Sequence, residues 1–205
     1  MRENLDLGAG LTMVIDDHLG GYITGGDPAT FYPHLWEWFA DDMGVRSVLD
    51  VGCGDGIALD YFEQFGVDVL GIDGIAQDDV RILQHDYSIG PWPPSGWHHR
   101  SSFDLVWSCE FVEHVEEQHV PNFLETFRCG QLVAMTHATP GQGGHHHVNC
   151  RERSYWKRML AAAGFEFDER LTGVAREKAS LNPDRHNHFV RSGLIFRTVP
   201  YTVKP

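Results

Sequence analysis

Val48-Leu49-Asp50-Val51-Gly52-Cys53-Gly54-Asp55-Gly56 is the stretch that decides how this chain is read. The run from Val48 to Val51 is mostly apolar and β-favouring, as suits a strand buried on both faces of a parallel sheet. It leads directly into a loop with glycine at every second residue. Gly52 and Gly54 permit a sharp turn and, lacking Cβ, let the backbone press against a bound molecule. Helix-compatible sequence follows from Ile57 to Phe65. Strand, glycine loop and helix together form the entrance to a nucleoside-binding βαβ unit. The spacing then narrows the nucleoside. A dinucleotide fingerprint reads G-x-G-x-x-G, but Ile57 stands where its third glycine belongs. Asp55 adds a charge that repels a pyrophosphate, and the Gly-Lys-Ser/Thr of a phosphate-binding loop is absent. The loop suits an adenosine compound without phosphates, and the cationic S-adenosylmethionine is one.

A carboxylate that grips the ribose hydroxyls belongs about 20 residues on, at the tip of the next strand. Val67-Asp68-Val69-Leu70-Gly71-Ile72 reads as that strand and Asp73 lies at its end. With these residues in order, the chain resembles the class I S-adenosylmethionine-dependent methyltransferases over roughly residues 45 to 170. The resemblance implies that the loop from Gly52 to Gly56 cradles the methionine part and that Asp73 holds the ribose. It also implies that Asp86, in Ile82-Leu83-Gln84-His85-Asp86-Tyr87, approaches the adenine amino group. The implied cofactor-binding set is Asp50, Gly52, Cys53, Gly54, Asp73, Gly74, Asp86, Tyr87 and Cys109. Any one of these Asp residues alone also reads as an ordinary surface turn; the ordered set does not.

Open α/β sheets bind ligands beyond the carboxyl ends of their strands, so the chemistry belongs after the fourth strand. That segment reads Cys109-Glu110-Phe111-Val112-Glu113-His114-Val115. With a helix beginning near Glu110, residues 110, 113 and 114 share one face. Two carboxylates and an imidazole then converge, a donor set able to hold Mg²⁺ or Mn²⁺. Glu-x-x-Glu-His resembles the ubiquinone-type O-methyltransferases and the small-RNA 3′-terminal 2′-O-methyltransferases. In those enzymes the motif is associated with a divalent metal, and in the RNA enzymes a further His follows the fifth strand. His145-His146-His147 stands in the corresponding loop. The resemblance implies Glu110, Glu113, His114 and one loop histidine, taken as His146, as catalytic residues and metal ligands. The alternative stays open: Glu110 or Glu113 as a helix cap, and a histidine as general base without metal.

The chain has 205 residues, enough for one soluble α/β domain spanning 1–205. Residues 1–44 form an N-terminal cap segment and 45–200 a Rossmann-like core. The expected fold is a seven-stranded, mostly parallel sheet with an antiparallel edge hairpin, helices on both faces and a shortened crossover between the second and third strands. Asp27-Pro28 is expected to start a helix running through Leu35, Trp36 and Phe39, and His18 and Tyr22 are candidates to close over the cofactor. The fourth strand is read over Ser102 to Cys109 and the fifth over Gly130 to His137. A helix is read from Ser154 to Ala163, and final strands over Phe165 to Leu171 and Ser192 to Val199. The stretch near 172–188 is read as an inserted loop.

The net charge of -13, from 29 acids against 16 Lys plus Arg, disfavours nucleic acid, whose binders need basic surface. The expected partner is a small-molecule methyl acceptor with a hydroxyl, since no Asn-Pro-Pro-Tyr of amino-group methylation follows the fourth strand. No signal peptide and no membrane span is evident. Four cysteines without a C-x-x-C pair suit a reducing cytoplasm. Three other readings stand beside this one: a cofactor-binding protein without methyl transfer, an RNA ribose 2′-O-methyltransferase, and a nicotinamide reductase, which Ile57 and Asp55 disfavour.

Overall fold

A computed structural model describes residues 2–6, 12–19, 27–93, 103–182 and 187–199. Two short strands, β1 (Arg2–Asp6) and β2 (Thr12–Asp16), pair antiparallel as a sheet of their own. The main sheet has seven strands: β3 (Ser47–Val51), β4 (Asp68–Asp73), β5 (Ile82–Gln84), β6 (Phe103–Ser108), β7 (Gly130–Met135), β8 (Phe165–Phe167) and β9 (Leu194–Thr198). Their spatial order is β5-β4-β3-β6-β7-β9-β8. The first five run parallel, while β9 is antiparallel to both β7 and β8. The order reverses beside β3, so a crevice opens between the ends of β3 and β6.

The strands alternate between two cores, as the pleat requires. Val48, Leu105, Trp107 and Leu132 face α1 (Pro33–Glu37), α2 (Ile57–Glu63), α5 (Glu169–Ala179) and α6 (His188–Ser192). Leu49, Val51, Val106 and Val133 face α3 (Val120–Phe127) and α4 (Arg153–Ala162). No helix lies between β4 and β5, so the crossover is short, as the eight residues after Asp73 require. Among the described residues no helix is long and apolar enough to cross a membrane.

Several expected boundaries move. The helix read from Asp27 is two pieces: Asp27 caps a 3₁₀ turn over Pro28–Thr30 through Ala29 N–H (2.8 Å), and α1 starts afresh at Pro33 and continues as a π-helical turn, Trp38–Asp42. Pro33 disfavours helical geometry at Tyr32, which is where the helix breaks. The strand read over Phe165 to Leu171 stops at Phe167, because the Asp168 carboxylate accepts from Leu171 N–H (2.8 Å) and starts α5. Much of the stretch read as an inserted loop is therefore helix. Leu171, Ala175 and Ala179 recur at a spacing of four and pack in the core. Tyr22 and residues 183–186 lie outside the described residues.

Candidate active site

At the carboxyl ends of β3, β4, β6 and β7 lies a cavity of about 760 Å³. That size accommodates a nucleoside cofactor with a small second molecule. Every residue of the expected cofactor-binding set lines it: Asp50, Gly52, Cys53, Gly54, Asp73, Gly74, Asp86, Tyr87 and Cys109. Glu110 and His114 line it too, whereas Glu113 is fully buried behind the wall.

Backbone bonds hold the glycine loop in place. Gly52 and Cys53 N–H groups donate to Ile72 O (2.8 and 3.2 Å), and Gly54 N–H donates to Asp73 Oδ2 (2.9 Å). The other Asp73 oxygen accepts from Ile75 N–H (2.9 Å). Gly52 has φ +79°, and a Cβ there would lie 2.7 Å from Phe111. Glycine is needed at that position on both counts. Gly54 also has positive φ, but a Cβ there would meet nothing within 4 Å. Burial raises the Asp73 carboxyl above its usual range. It raises Asp50 well above, with the Asp73 charge adding to the effect. A cationic ligand in this cavity relieves both. Burial also works against ionised Asp86, but bonds from His18 Nε2 (2.9 Å) and Ser88 N–H (2.7 Å) outweigh it and hold the carboxyl low. Leu19 packs against Gly74, so part of the N-terminal segment does lie over the cavity.

The other end is built differently. No helix starts at Glu110; a 3₁₀ turn over Val112–His114 follows β6 instead. Glu110 sits in the left-handed region at φ 52°, a conformation costing of order 1 kcal/mol or more for a residue with a side chain. One hydroxyl pins it: Thr136 Oγ1 accepts from Glu110 N–H (2.7 Å) and donates to Glu110 Oε1 (2.9 Å). Its second oxygen faces His188 Nδ1 at 3.0 Å, and His188 Nε2 lies 3.5 Å from Asp27. Burial works to lower the His188 pKa, but its bond to Glu110 and the carboxylates on both sides win and raise it. Glu110 is correspondingly held low: burial opposes its charge, and the His188 bond overcomes that.

Glu113, His114 and His147 present ligand atoms within 4.8 Å of one another. The structure brings His147 to this group, not His146, which has φ 45°. Glu110 lies outside it and is turned to His188 and Thr136. Neither Glu113 oxygen accepts a hydrogen bond of good geometry, and His114 Nδ1 is likewise buried without one. Burial and the Glu110 charge push the Glu113 carboxyl well above its usual range. Burial lowers His114 to about 4, with His147 adding to the effect. The histidine loop is fastened to the motif, for Val148 and Asn149 N–H groups both donate to Glu113 O (3.0 Å). Gly144 leaves room for the His147 ring. His188 is the residue that sequence reasoning left unassigned at this site. Nothing local marks it, because its partners lie 78 and 161 positions away along the chain.

A family model described as a methyltransferase domain matches residues 27–170. The ubiquinone biosynthesis O-methyltransferase of Azoarcus sp. is 30% identical over 159 residues, covering 69% of this chain and 63% of that protein. The mitochondrial ubiquinone biosynthesis O-methyltransferase of Mus musculus is 27% identical over 144 residues, covering 64% and 35%. The chain thus spans less than two thirds of either relative. Among solved structures, a SAM-dependent methyltransferase from Archaeoglobus fulgidus superposes with a TM-score of 0.54 at 17% identity, over 85% of this chain and 96% of that one. The Burkholderia thailandensis 1,6-didemethyltoxoflavin-N1-methyltransferase, bound to S-adenosylhomocysteine, gives 0.56 at 14% identity over 97% and 100%. These likenesses establish the shared fold.

Proposed function

Because the chain belongs to the class I S-adenosylmethionine-dependent methyltransferase family, whose domain model covers residues 27–170, we propose that it transfers the cofactor's methyl group to an oxygen of a small hydroxylated molecule. The observation that carries the reading is the joining, in one cavity, of the Gly52–Asp73 cradle to His114 and His147, with the Glu113 carboxyl directly behind that wall and within reach of both. The curated relatives, named as O-methyltransferases, support oxygen as the acceptor atom.

The residues fit the cofactor. Gly54 leaves open space where a side chain would stand, Asp73 is fixed by two backbone donors and offers its carboxylate to a ribose, and Asp86 stands at the next strand end. S-adenosylmethionine supplies an electrophilic methyl on a sulfonium. The chain's part is then chiefly alignment, which alone accounts for several kcal/mol of barrier in well-oriented reactions.

The donors also fit a divalent metal. Glu113 is a buried carboxyl whose oxygens accept no hydrogen bond of good geometry, an arrangement in which the charged form is costly unless a cation answers it. A cation held by Glu113, His114 and His147 would lower the pKa of an acceptor hydroxyl. Two imidazoles and one carboxylate suit Mn²⁺ or Zn²⁺ better than Mg²⁺, which prefers all-oxygen sites. His114, lowered to about 4, stays neutral at physiological pH and so serves better as a ligand than as a proton store. Glu110, held by Thr136 and His188, lines the cavity beside this group.

The test is transfer of labelled methyl to hydroxylated acceptors, with and without chelator. Turnover is expected to fall on chelation, to return with Mn²⁺, and to drop at least about 100-fold in Glu113→Ala, beyond the loss from removing even an outer-sphere partner. Turnover indifferent to chelator would remove the metal. Absence of S-adenosylmethionine binding would remove the function.

A further inference from the structure

The acceptor end of the cavity has a charge pattern that bears on what it admits. Its wall carries the carboxylates of Asp27, Glu110 and Glu116, and the histidines His114, His119 and His147. Among the described residues, no Lys or Arg lines the cavity anywhere. Glu113 adds a fourth carboxylate directly behind the wall. His188 lines the cavity too, but it is already shared between Glu110 (3.0 Å) and Asp27 (3.5 Å). A divalent cation on Glu113, His114 and His147 together with a protonated His188 would still leave these four carboxylates in excess. Glu116 stands exposed at the rim, its carboxylate accepting from Gln118 Nε2 (2.7 Å). A cleft lined by one sign of charge concentrates ligands of the opposite sign and repels its own. The whole chain, at -13, points the same way.

We propose that the acceptor end selects hydroxylated molecules that are neutral or positively charged and rejects those carrying a carboxylate or phosphate, with Glu116 the specificity-determining residue at the rim. The inference rests on the methyltransferase reading but concerns which acceptor is admitted, and it extends the bias against polyanions from the whole chain to one wall. Among the described residues, a phosphate group entering here finds no Arg fork or Lys to answer it, and either is the usual means of phosphate recognition.

The experiment is calorimetric titration of the full chain, saturated with S-adenosylhomocysteine, with three matched probes: catechol, 3,4-dihydroxybenzoate and 4-(2-aminoethyl)catechol. Catechol is expected to bind, the amine to bind at least as tightly, and the carboxylate at least tenfold more weakly. Raising the salt concentration narrows the gap, because the rim is open to screening. Glu116→Lys is expected to tighten the carboxylate at least threefold relative to catechol. A carboxylate that binds as well as catechol overturns the proposal. So does a Glu116→Lys variant with unaltered preference, or a protein that binds none of the three. Binding is read without turnover, so these failures are distinct from failure of the methyl-transfer reading, which labelled transfer reports.

Discussion

The two ends of the cavity are built on opposite plans. At the cofactor end, backbone amides and glycines do the work: Gly52, Gly54 and Asp73 are fixed by bonds between adjacent parallel strands. At the acceptor end, side chains from five segments meet: Asp27, Glu110 with Glu113 and His114, Thr136, His147 and His188. At the first end the amides of the glycine loop are paired within the fold. The second holds a left-handed Glu110 and a Glu113 whose oxygens find no good hydrogen bond, and strain and unmet polarity of this kind gather at functional sites. A backbone-built end tolerates little change in its glycines. A side-chain-built end should gain stability where the group removed is a buried, poorly bonded carboxyl such as Glu113.

The sharpest way to break that contrast is Gly52→Ala. Left-handed strain and a 2.7 Å approach to Phe111 together should destabilise the protein by about 3 kcal/mol. They should also weaken S-adenosylmethionine binding about 100-fold, read by calorimetry. Gly54→Ala meets open space and should cost the free protein only the backbone strain, about 1 kcal/mol. Equal melting temperatures for the two variants would show that Phe111 yields and that the loop is not rigid.

Glu113→Met tests the other end. Removing a buried carboxyl that lacks hydrogen bonds of good geometry should raise stability by about 1–3 kcal/mol while turnover collapses, the trade expected where a site is kept strained for function. A melting temperature that falls would mean that Glu113 is a structural residue. Thr136→Val should cost about 1–2 kcal/mol, because Glu110 loses both the acceptor of its N–H and a donor to its carboxylate. It should lower turnover as well, through loss of the turn that carries Glu113 and His114.

The same division explains what could be read in advance. The mostly parallel sheet with its antiparallel edge and the short crossover were legible, because each depends on a local pattern: the strand and glycine loop from Val48 to Gly56, the strand ending at Asp73, and the few residues before the next strand. Residues 110, 113 and 114 were visible as a motif, but their geometry was not. A helical register is expected from Glu110, whereas a 3₁₀ turn follows it and the Glu110 carboxylate meets His188 while staying close enough to Glu113 for its charge to act there. Nor does any spacing rule choose His147 over His146; the loop's attachment to the Glu113 carbonyl and the room at Gly144 decide it. His188 could not be found because its partners are set by tertiary packing. The α5 helix was legible in principle from Leu171, Ala175 and Ala179, but the apolar Phe165-Glu166-Phe167 alternation drew the strand reading past Asp168.

Asp168 gives the smallest effect and the control on the comparison, since it lies outside the cavity lining. Its carboxylate caps α5 through Leu171 N–H and pairs with Arg197 (2.8 Å). Burial opposes its charge, but those bonds prevail and hold its pKa below the usual carboxylate value. Asp168→Ala should therefore cost about 1 kcal/mol, as loss of a helix cap does, with cofactor and acceptor binding unchanged. The sign with pH follows from the depressed pKa. The stabilisation is fully present above the unfolded-state value near 4 and is lost as pH falls through the lower folded value. Wild type and variant should thus differ in melting temperature at pH 7 and converge in strong acid. If Asp168→Ala instead altered acceptor binding, the acceptor end would extend to α5, and the contrast between a locally built and a distantly assembled wall would have to include that helix.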